Sequence, residues 1–174
     1  PEVPVTVKIR SGWEQKMMTW KEAALAALEG GAKAITIHPR TKAQGYEGHS
    51  DWSIMKNLVD LVGSIDKKVP VFGSGDLFKP EDAKKMLEYT GVDGVMFARG
   101  AMGKPFIFRQ TRQLLETGTY DEIPVKERLD AGFEELSVLI EDRGEQVACK
   151  DMRKRFCAYS KGIEGGAAMR LEIV

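Results

Sequence analysis

Residues Val69–Asp82 read VPVFGSGDLFKPED. An apolar run enters Gly73-Ser74-Gly75 and passes directly into Lys79-Pro80-Glu81-Asp82, a helix start with proline and acids in its first turn. Asp93–Phe106, DGVMFARGAMGKPF, repeats the arrangement, with Arg99-Gly100 after the strand. Two glycine-bearing bends on consecutive strand-to-helix turns point to one ligand lying over both. Gly73 and Gly75 can take positive φ and bring backbone N–H groups to an anion, and Arg99 adds a fixed cation. A helix N-terminus nearby adds its positive dipole end. Phosphate is the ligand this pattern favours. The plainer reading is that the glycines only permit tight turns.

Working outward, β-branched apolar runs occur at Val3–Ile9, Ala34–Ile37, Val69–Phe72 and Gly94–Phe97, with helical patterns between them. Thr19-Trp20-Lys21-Glu22 has the form of a capping box and opens a helix to Leu28, which Gly30-Gly31 ends. Asp51 caps a helix through Leu61, Pro80 starts one that Gly91 stops, and Ile107–Glu116 follows the fourth strand. Four strand–helix units with nearly continuous apolar strands predict a parallel sheet buried on both faces. The expected fold class is α/β: the second half of a (β/α)8 TIM-type barrel, four parallel βα units, followed by an all-helical C-terminal domain. In such barrels the ligand lies at the carboxyl ends of the strands, and phosphate commonly binds after the last two. The glycine bends fall there.

The linker TGTYDEIP, ended by Pro124, divides the chain. Residues 1–118 read as the half barrel and 119–174 as the helical domain. Beyond the linker, Leu129, Phe133, Leu136 and Ile140 hold helical spacing and Gly144 interrupts. A further helix covers Glu145–Lys161 before GIEGGAA breaks it. The chain opens at Pro1 in strand-like sequence, which reads as a fragment of a longer protein.

The 174 residues carry zero formal net charge, 43% apolar and 30% charged residues, an ordinary globular balance. This excludes a surface that attracts nucleic acid everywhere, but not a local basic patch. No run approaches the roughly 18 apolar residues of a membrane span. Two cysteines, Cys149 and Cys157, make neither a disulfide framework nor zinc-ligand spacing, which fits a reducing cytoplasm.

Lys8 closes a strand in VTVKIRSGW. A lysine at a barrel mouth meets an anion or loses its proton, so it reads as a phosphate partner, a Schiff-base residue, a cation beside an electron-rich ring, or a solvated rim residue. His38 ends the next strand beside Arg40 and Lys42 and reads as ligand-binding, whereas His49 in a polar loop does not. Asp76 either holds a ligand hydroxyl or caps a helix. Arg10 and Trp13 lie at the mouth or on the surface. In the helix EQVACKDMRKRFCAYSKG, Ala148, Cys149, Met152, Phe156 and Tyr159 share one side. Lys150, Arg153, Lys154 and Lys161 form a basic ridge opposite, with Arg155 to one side. The ridge is a solvated face or a phosphate-backbone contact. Both cysteines read as buried thiols.

PVTVKIRSGW, ITIHPRTKAQGYEGHSDW, VPVFGSGDL, GVMFARGAMGKPFIF and MRKRFCAYSKG occur in the order seen in tRNA-dihydrouridine synthases. The sequence resembles that family, its bacterial branch most, over nearly its whole length. The resemblance implies an FMN-containing (β/α)8 barrel with a helical tRNA-binding domain, using NADPH to reduce selected uridines of tRNA to dihydrouridine. Carried over residue by residue, Lys8 would sit against the flavin ring and His38 near it. Ser74, Gly75 and Asp76 would hold the ribityl-phosphate part, and Ala98, Arg99 and Gly100 the phosphate. Arg10, Arg40, Lys150, Arg153, Lys154 and Lys161 would meet substrate tRNA.

The pattern departs from the family at Ser74, Pro39 and Ala98, where Asn, Gly and Gly are usual, and at Arg155 and Tyr159 in the late helix. The family's catalytic cysteine belongs to an N-x-G-C-P-like loop that this chain lacks, and neither Cys149 nor Cys157 replaces it. The chain alone is therefore expected to be inactive, and its open half-barrel edge to favour dimerisation. The alternatives are another FMN or sugar-phosphate barrel enzyme using Lys8 as base or Schiff-base residue, and a non-enzymatic RNA-binding module.

Overall fold

The structure is a computed structural model that describes residues 2–173. The described residues divide into two compact units between Ala98 and Arg99, ahead of the 118/119 boundary read from the sequence.

The first unit holds strands β1 (Val7–Glu14), β2 (Met17–Met18), β3 (Ile35–Thr41), β4 (Val71–Ser74) and β5 (Gly94–Met96). Helices α1 (Trp20–Glu29), α2 (Trp52–Ile65) and α3 (Pro80–Thr90) connect them. The sheet order is β2-β1-β3-β4-β5; β1, β3, β4 and β5 run parallel and β2 is antiparallel to β1. Strand β1 starts at Val7 rather than Val3. Pro4 has no N–H to give a ladder, and Val3 and Val5 are exposed.

The short β2 hairpin was not legible in the sequence. It closes because Gly12 lacks a side chain: a Cβ there would lie 2.2 Å from the Met17 carbonyl oxygen. The capping box at Thr19 does not form, since its side chain makes no cap hydrogen bond. Its backbone instead donates to the Ser11 carbonyl at 3.0 Å and holds the hairpin to β1. Asp51 does cap α2, accepting from the Ser53 N–H at 3.0 Å. In α3, Pro80 takes the first turn and the Asp82 carboxylate accepts from the Phe78 and Lys79 N–H groups.

Side chains alternate across a strand, so each strand has one face per parity. Ile35, Ile37 and Val71 pack with Ile54, Met55, Leu58 and Val62 of α2 and Met86 of α3. Each such burial contributes roughly 1.5–3 kcal/mol. Gly73 belongs to this face: a Cβ on it would lie 2.6 Å from the Met86 sulfur and 2.9 Å from that of Met55. Gly73 therefore makes room for two methionines, and it lacks the positive φ expected of an anion-binding bend.

The opposite face carries Lys8, Arg10, Thr36 and His38, which pair laterally as Lys8 with Thr36 and Arg10 with His38. Lys8 and Met96 are exposed there. Burial on both faces, expected for every strand, holds along β3 and β4 but not along β1 or β5.

The second unit opens with a 3-10 turn at Arg99–Ala101. It continues with α4 (Ile107–Thr117), α5 (Val125–Arg143), α6 (Glu145–Tyr159) and α7 (Gly166–Ile173). Among the described residues no strand follows Met96. Leu139 of α5 packs with Ala148, Met152 and Tyr159 of α6. Gly132 lets the helices close, since a Cβ there would lie 3.0 Å from the Phe156 ring. Glu135 accepts from Arg155 and, at 3.1 Å, from the Tyr159 hydroxyl. Burial first, then the Glu135 charge, pushes the Tyr159 phenol up to about 12. Contrary to the sequence reading, Cys149 is exposed and Cys157 only half-buried. GIEGGAA breaks α6 as expected, and Gly166 within it begins α7.

Candidate functional site

In the first unit the site is built from one face of β1 and β3 and from the carboxyl end of β4; contrary to the sequence reading, Lys8 is the second residue of β1 and His38 the middle of β3, so neither closes its strand. Strand register places Arg10 beside His38. Gly73 pairs with Ile37, so Ser74, one residue on, shares the face of His38. Ser74 is buried at the end of β4. After it, Gly75 has φ 121° and Asp76 has φ 57°, a left-handed conformation rare for a residue with a side chain. A Cβ on Gly75 would lie 2.3 Å from the Ser50 hydroxyl and 2.8 Å from the His38 ring. The space that Gly75 leaves is thus taken by His38 and Ser50.

Arg40 is the main correction. Expected to meet tRNA, it is 2% exposed and fully engaged inside the unit. It is bonded to Asp76 at 2.8 and 2.9 Å and donates to the carbonyls of Gly48 at 2.7 Å and Glu47 at 3.3 Å. A buried guanidinium is tolerated only when paired and hydrogen-bonded, and this pairing takes it away from any external phosphate. Asp76 does not cap α3 either; its carboxylate serves Arg40 and the Ser50 N–H, the latter at 2.7 Å. The Trp52 indole N–H donates to the Gly75 carbonyl at 3.3 Å.

Positive charge collects at this mouth. Arg10 is half-buried and donates to the Thr41 carbonyl at 2.8 Å. Although Lys8 is exposed, its ammonium is pushed below its ordinary value, by lost hydration first and by Arg10 second. His38 is lowered to about 4, chiefly by burial, then by Arg10, Lys8 and Arg40, with Asp76 opposing. It is therefore neutral near pH 7. His49 is exposed and takes part through its backbone carbonyl, which accepts from Gln44 at 3.1 Å. Trp13 is exposed.

These groups fit an anionic or electron-rich ligand such as a flavin nucleotide: two cations, a neutral imidazole and hydroxyl donors on one face. The Ser50 hydroxyl is buried and has no hydrogen-bond partner in the fold. Sequence reasoning missed Ser50 and Trp52, because their partners lie more than twenty residues away. Among the described residues no cluster suits a metal ion, and no helix is long and apolar enough to cross a membrane.

In the second unit, Arg99 and the buried Gly100 form the 3-10 turn that follows the exposed Ala98. Gly103, at φ 66°, seats the segment after this turn on α6: a Cβ there would lie 2.5 Å from the Tyr159 nitrogen. On α6, Lys150, Arg153 and Lys154 are exposed, as is Lys161 just beyond it. Nearby charges are already paired, Arg155 with Glu135 and Asp151 with Arg143, leaving the ridge cationic.

Residues 1–173 match the family model described as dihydrouridine synthase (Dus). A probable tRNA-dihydrouridine synthase of Treponema pallidum (strain Nichols) is 57% identical over 163 residues, 94% of this chain and 48% of that protein. A probable tRNA-dihydrouridine synthase of Rickettsia bellii (strain RML369-C) is 35% identical over 97% of this chain and 51% of its own length. A tRNA-dihydrouridine synthase B of Vibrio parahaemolyticus is 35% identical, again over 97% of this chain and 51% of its own length. A solved RcsB response regulator of Salmonella typhimurium aligns over 98% of this chain and 99% of its own at 11% identity, but its TM-score of 0.32 carries no argument. The chain spans about half the length of the curated relatives it matches. Matched from end to end by one family model, this chain belongs to the dihydrouridine synthase family.

Proposed function

We propose that the intact protein is a cytoplasmic tRNA-dihydrouridine synthase, an oxidoreductase that reduces selected tRNA uridines with FMN as cofactor and NADPH as reductant. One observation supports this most. Lys8 and Arg10, beside the neutral His38, form a cationic mouth on one sheet face, in a chain that the family model covers almost entirely. The same reading makes residues 1–118 the second half of a (β/α)8 barrel and 119–174 a helical tRNA-binding domain. The parallel order β1-β3-β4-β5, with helices packed on one face, supports the barrel. The unpaired outer edge of β5 is where the remaining strands, or a second copy, would add.

When bound, FMN supplies the hydride for the uracil C5–C6 bond, and NADPH replenishes it. Lys8 and Arg10 set positive charge beside the electron-rich ring, where lost hydration strengthens its effect. His38 adds a hydrogen bond without adding charge. Ser74, Gly75 and Asp76 frame the ribityl-phosphate side, and Ala98, Arg99 and Gly100 take the phosphate. Arg10 at the mouth and Lys150, Arg153, Lys154 and Lys161 meet tRNA, whose target base leaves its stack to reach the mouth. The group that protonates uracil is the family's cysteine, which lies outside this chain.

The lowered Lys8 ammonium favours a second reading, a sugar-phosphate or other FMN barrel enzyme with Lys8 as base or Schiff-base residue. One experiment separates the two. The full-length protein is incubated with NADPH and unmodified tRNA, and dihydrouridine is measured by mass spectrometry. A uridine gaining two hydrogens is expected. An unchanged tRNA, together with borohydride trapping of a carbonyl substrate on Lys8, would replace the proposal with the second reading.

A further inference from the structure

We propose that Arg40 is a positioning residue: it clamps the bend after β4 through Asp76 and fixes His38 in the tautomer protonated at Nδ1. The consequence for a bound flavin rests on the function proposed above; the clamp itself does not.

A guanidinium only donates hydrogen bonds. Arg40 Nη1 lies 3.5 Å from His38 Nε2, so that nitrogen is the acceptor and the ring proton sits on Nδ1. The partner of one imidazole nitrogen decides the state of the other. The charged groups acting on the ring are Lys8 and Arg10 of β1, Arg40 of β3 and Asp76 after β4. The ring therefore keeps an N–H on Nδ1, a donor of the kind that suits the carbonyl and nitrogen acceptors of a flavin.

The same guanidinium holds the backbone. Asp76 is the one residue other than glycine with positive φ among those described. Such a conformation persists where its surroundings over-determine it. Here Arg40 takes both carboxylate oxygens, at 2.8 and 2.9 Å, while the Ser50 N–H takes one of them at 2.7 Å. Arg40 also grips the carbonyls of Glu47 and Gly48. Three segments meet on one side chain: the end of β3, the loop that follows it before α2 and, 36 positions along the chain, the bend after β4. A lysine keeps the charge but has one nitrogen, whereas Arg40 spreads its contacts over three: Nη2 to both Asp76 oxygens and the Gly48 carbonyl, Nε to Glu47 and Nη1 to His38.

The test uses the full-length protein without cofactor, labelled with [15N]histidine, the His38 signals being identified by their loss in His38→Gln. Long-range 1H–15N spectra give the tautomer directly. Wild type is expected to show His38 protonated at Nδ1 alone, and Arg40→Lys and Asp76→Asn a mixture of both tautomers. A wild-type ring protonated at Nε2, or a pure Nδ1 form retained in both variants, would overturn the proposal. FMN titration of the same proteins is expected to show about tenfold weaker binding in Arg40→Lys. If no protein binds flavin but the tautomers behave as stated, the clamp stands and the flavin reading falls. If flavin binds equally while the tautomers shift, the positioning role is overturned.

Discussion

At Gly75, one methyl group decides whether the bend after β4 closes. A Cβ there would sit 2.3 Å from the Ser50 hydroxyl and 2.8 Å from the His38 ring, on a backbone with φ 121°. Gly75→Ala is expected to destabilise the folded protein by about 1–3 kcal/mol, the usual cost of a strained backbone, and to displace His38. Denaturant unfolding measures the first effect. A midpoint unchanged from wild type would mean that His38 and Ser50 do not pack there.

His38 gives a pH prediction whose sign follows from linkage. Its folded value, about 4, is below the ordinary 6.5, so the unfolded chain binds the extra proton between them. Stability is therefore full above pH 6.5, falls as pH drops towards 4, and loses nothing more from this group below that. His38→Gln is expected to flatten that part of the stability–pH curve. At this scale the sequence singled out His38, Lys8 and Gly75, and the structure brings His38 against Gly75, although Lys8 and His38 lie within their strands and not at their ends. It hid the commitment of Arg40, which depends on Asp76 being brought 36 positions along the chain to meet it.

The element that tests the RNA reading is α6. Its inner side is fixed by Ala148, Met152 and Tyr159, and Arg155 is spent on Glu135. Lys150, Arg153 and Lys154 point away from that packing and are exposed. Replacing all three by alanine in the full-length protein is expected to leave the melting temperature within a few degrees of wild type. It should weaken tRNA binding and reduce the slope of log K against log salt by about 2–3. Unaltered binding across salt would remove α6 from the RNA surface. Arg155→Ala is a different experiment, since it strips Glu135 of a partner and disturbs the α5–α6 packing.

Helix α6 was legible because its apolar positions recur at helical spacing and glycines bound it. The β2 hairpin was not: two methionines carry no periodicity, and the close approach at Gly12 is a three-dimensional fact. Cys149 was misplaced because it lies beside the apolar stripe, where a wheel count cannot separate flank from core.

For the whole molecule, the parallel sheet and its alternating helices were readable from apolar runs between caps and glycines. What escaped was the difference between the two sheet faces. Nearly continuous apolar runs suggested burial on both. Instead the helices cover the face of Ile35, Ile37 and Val71, and the other carries Lys8, Arg10 and His38. The two faces thus differ: one makes the core, and the other carries charge along β1 and β3. Flavin titration of the full-length protein, wild type beside Lys8→Met, tests this most directly. Wild type should bind FMN with a visible flavin band, and Lys8→Met should bind it about tenfold or more weakly while unfolding at the same temperature. A wild-type protein that takes up no FMN, or a Lys8→Met variant that holds it equally well, would contradict the assignment of this charged face as the cofactor site.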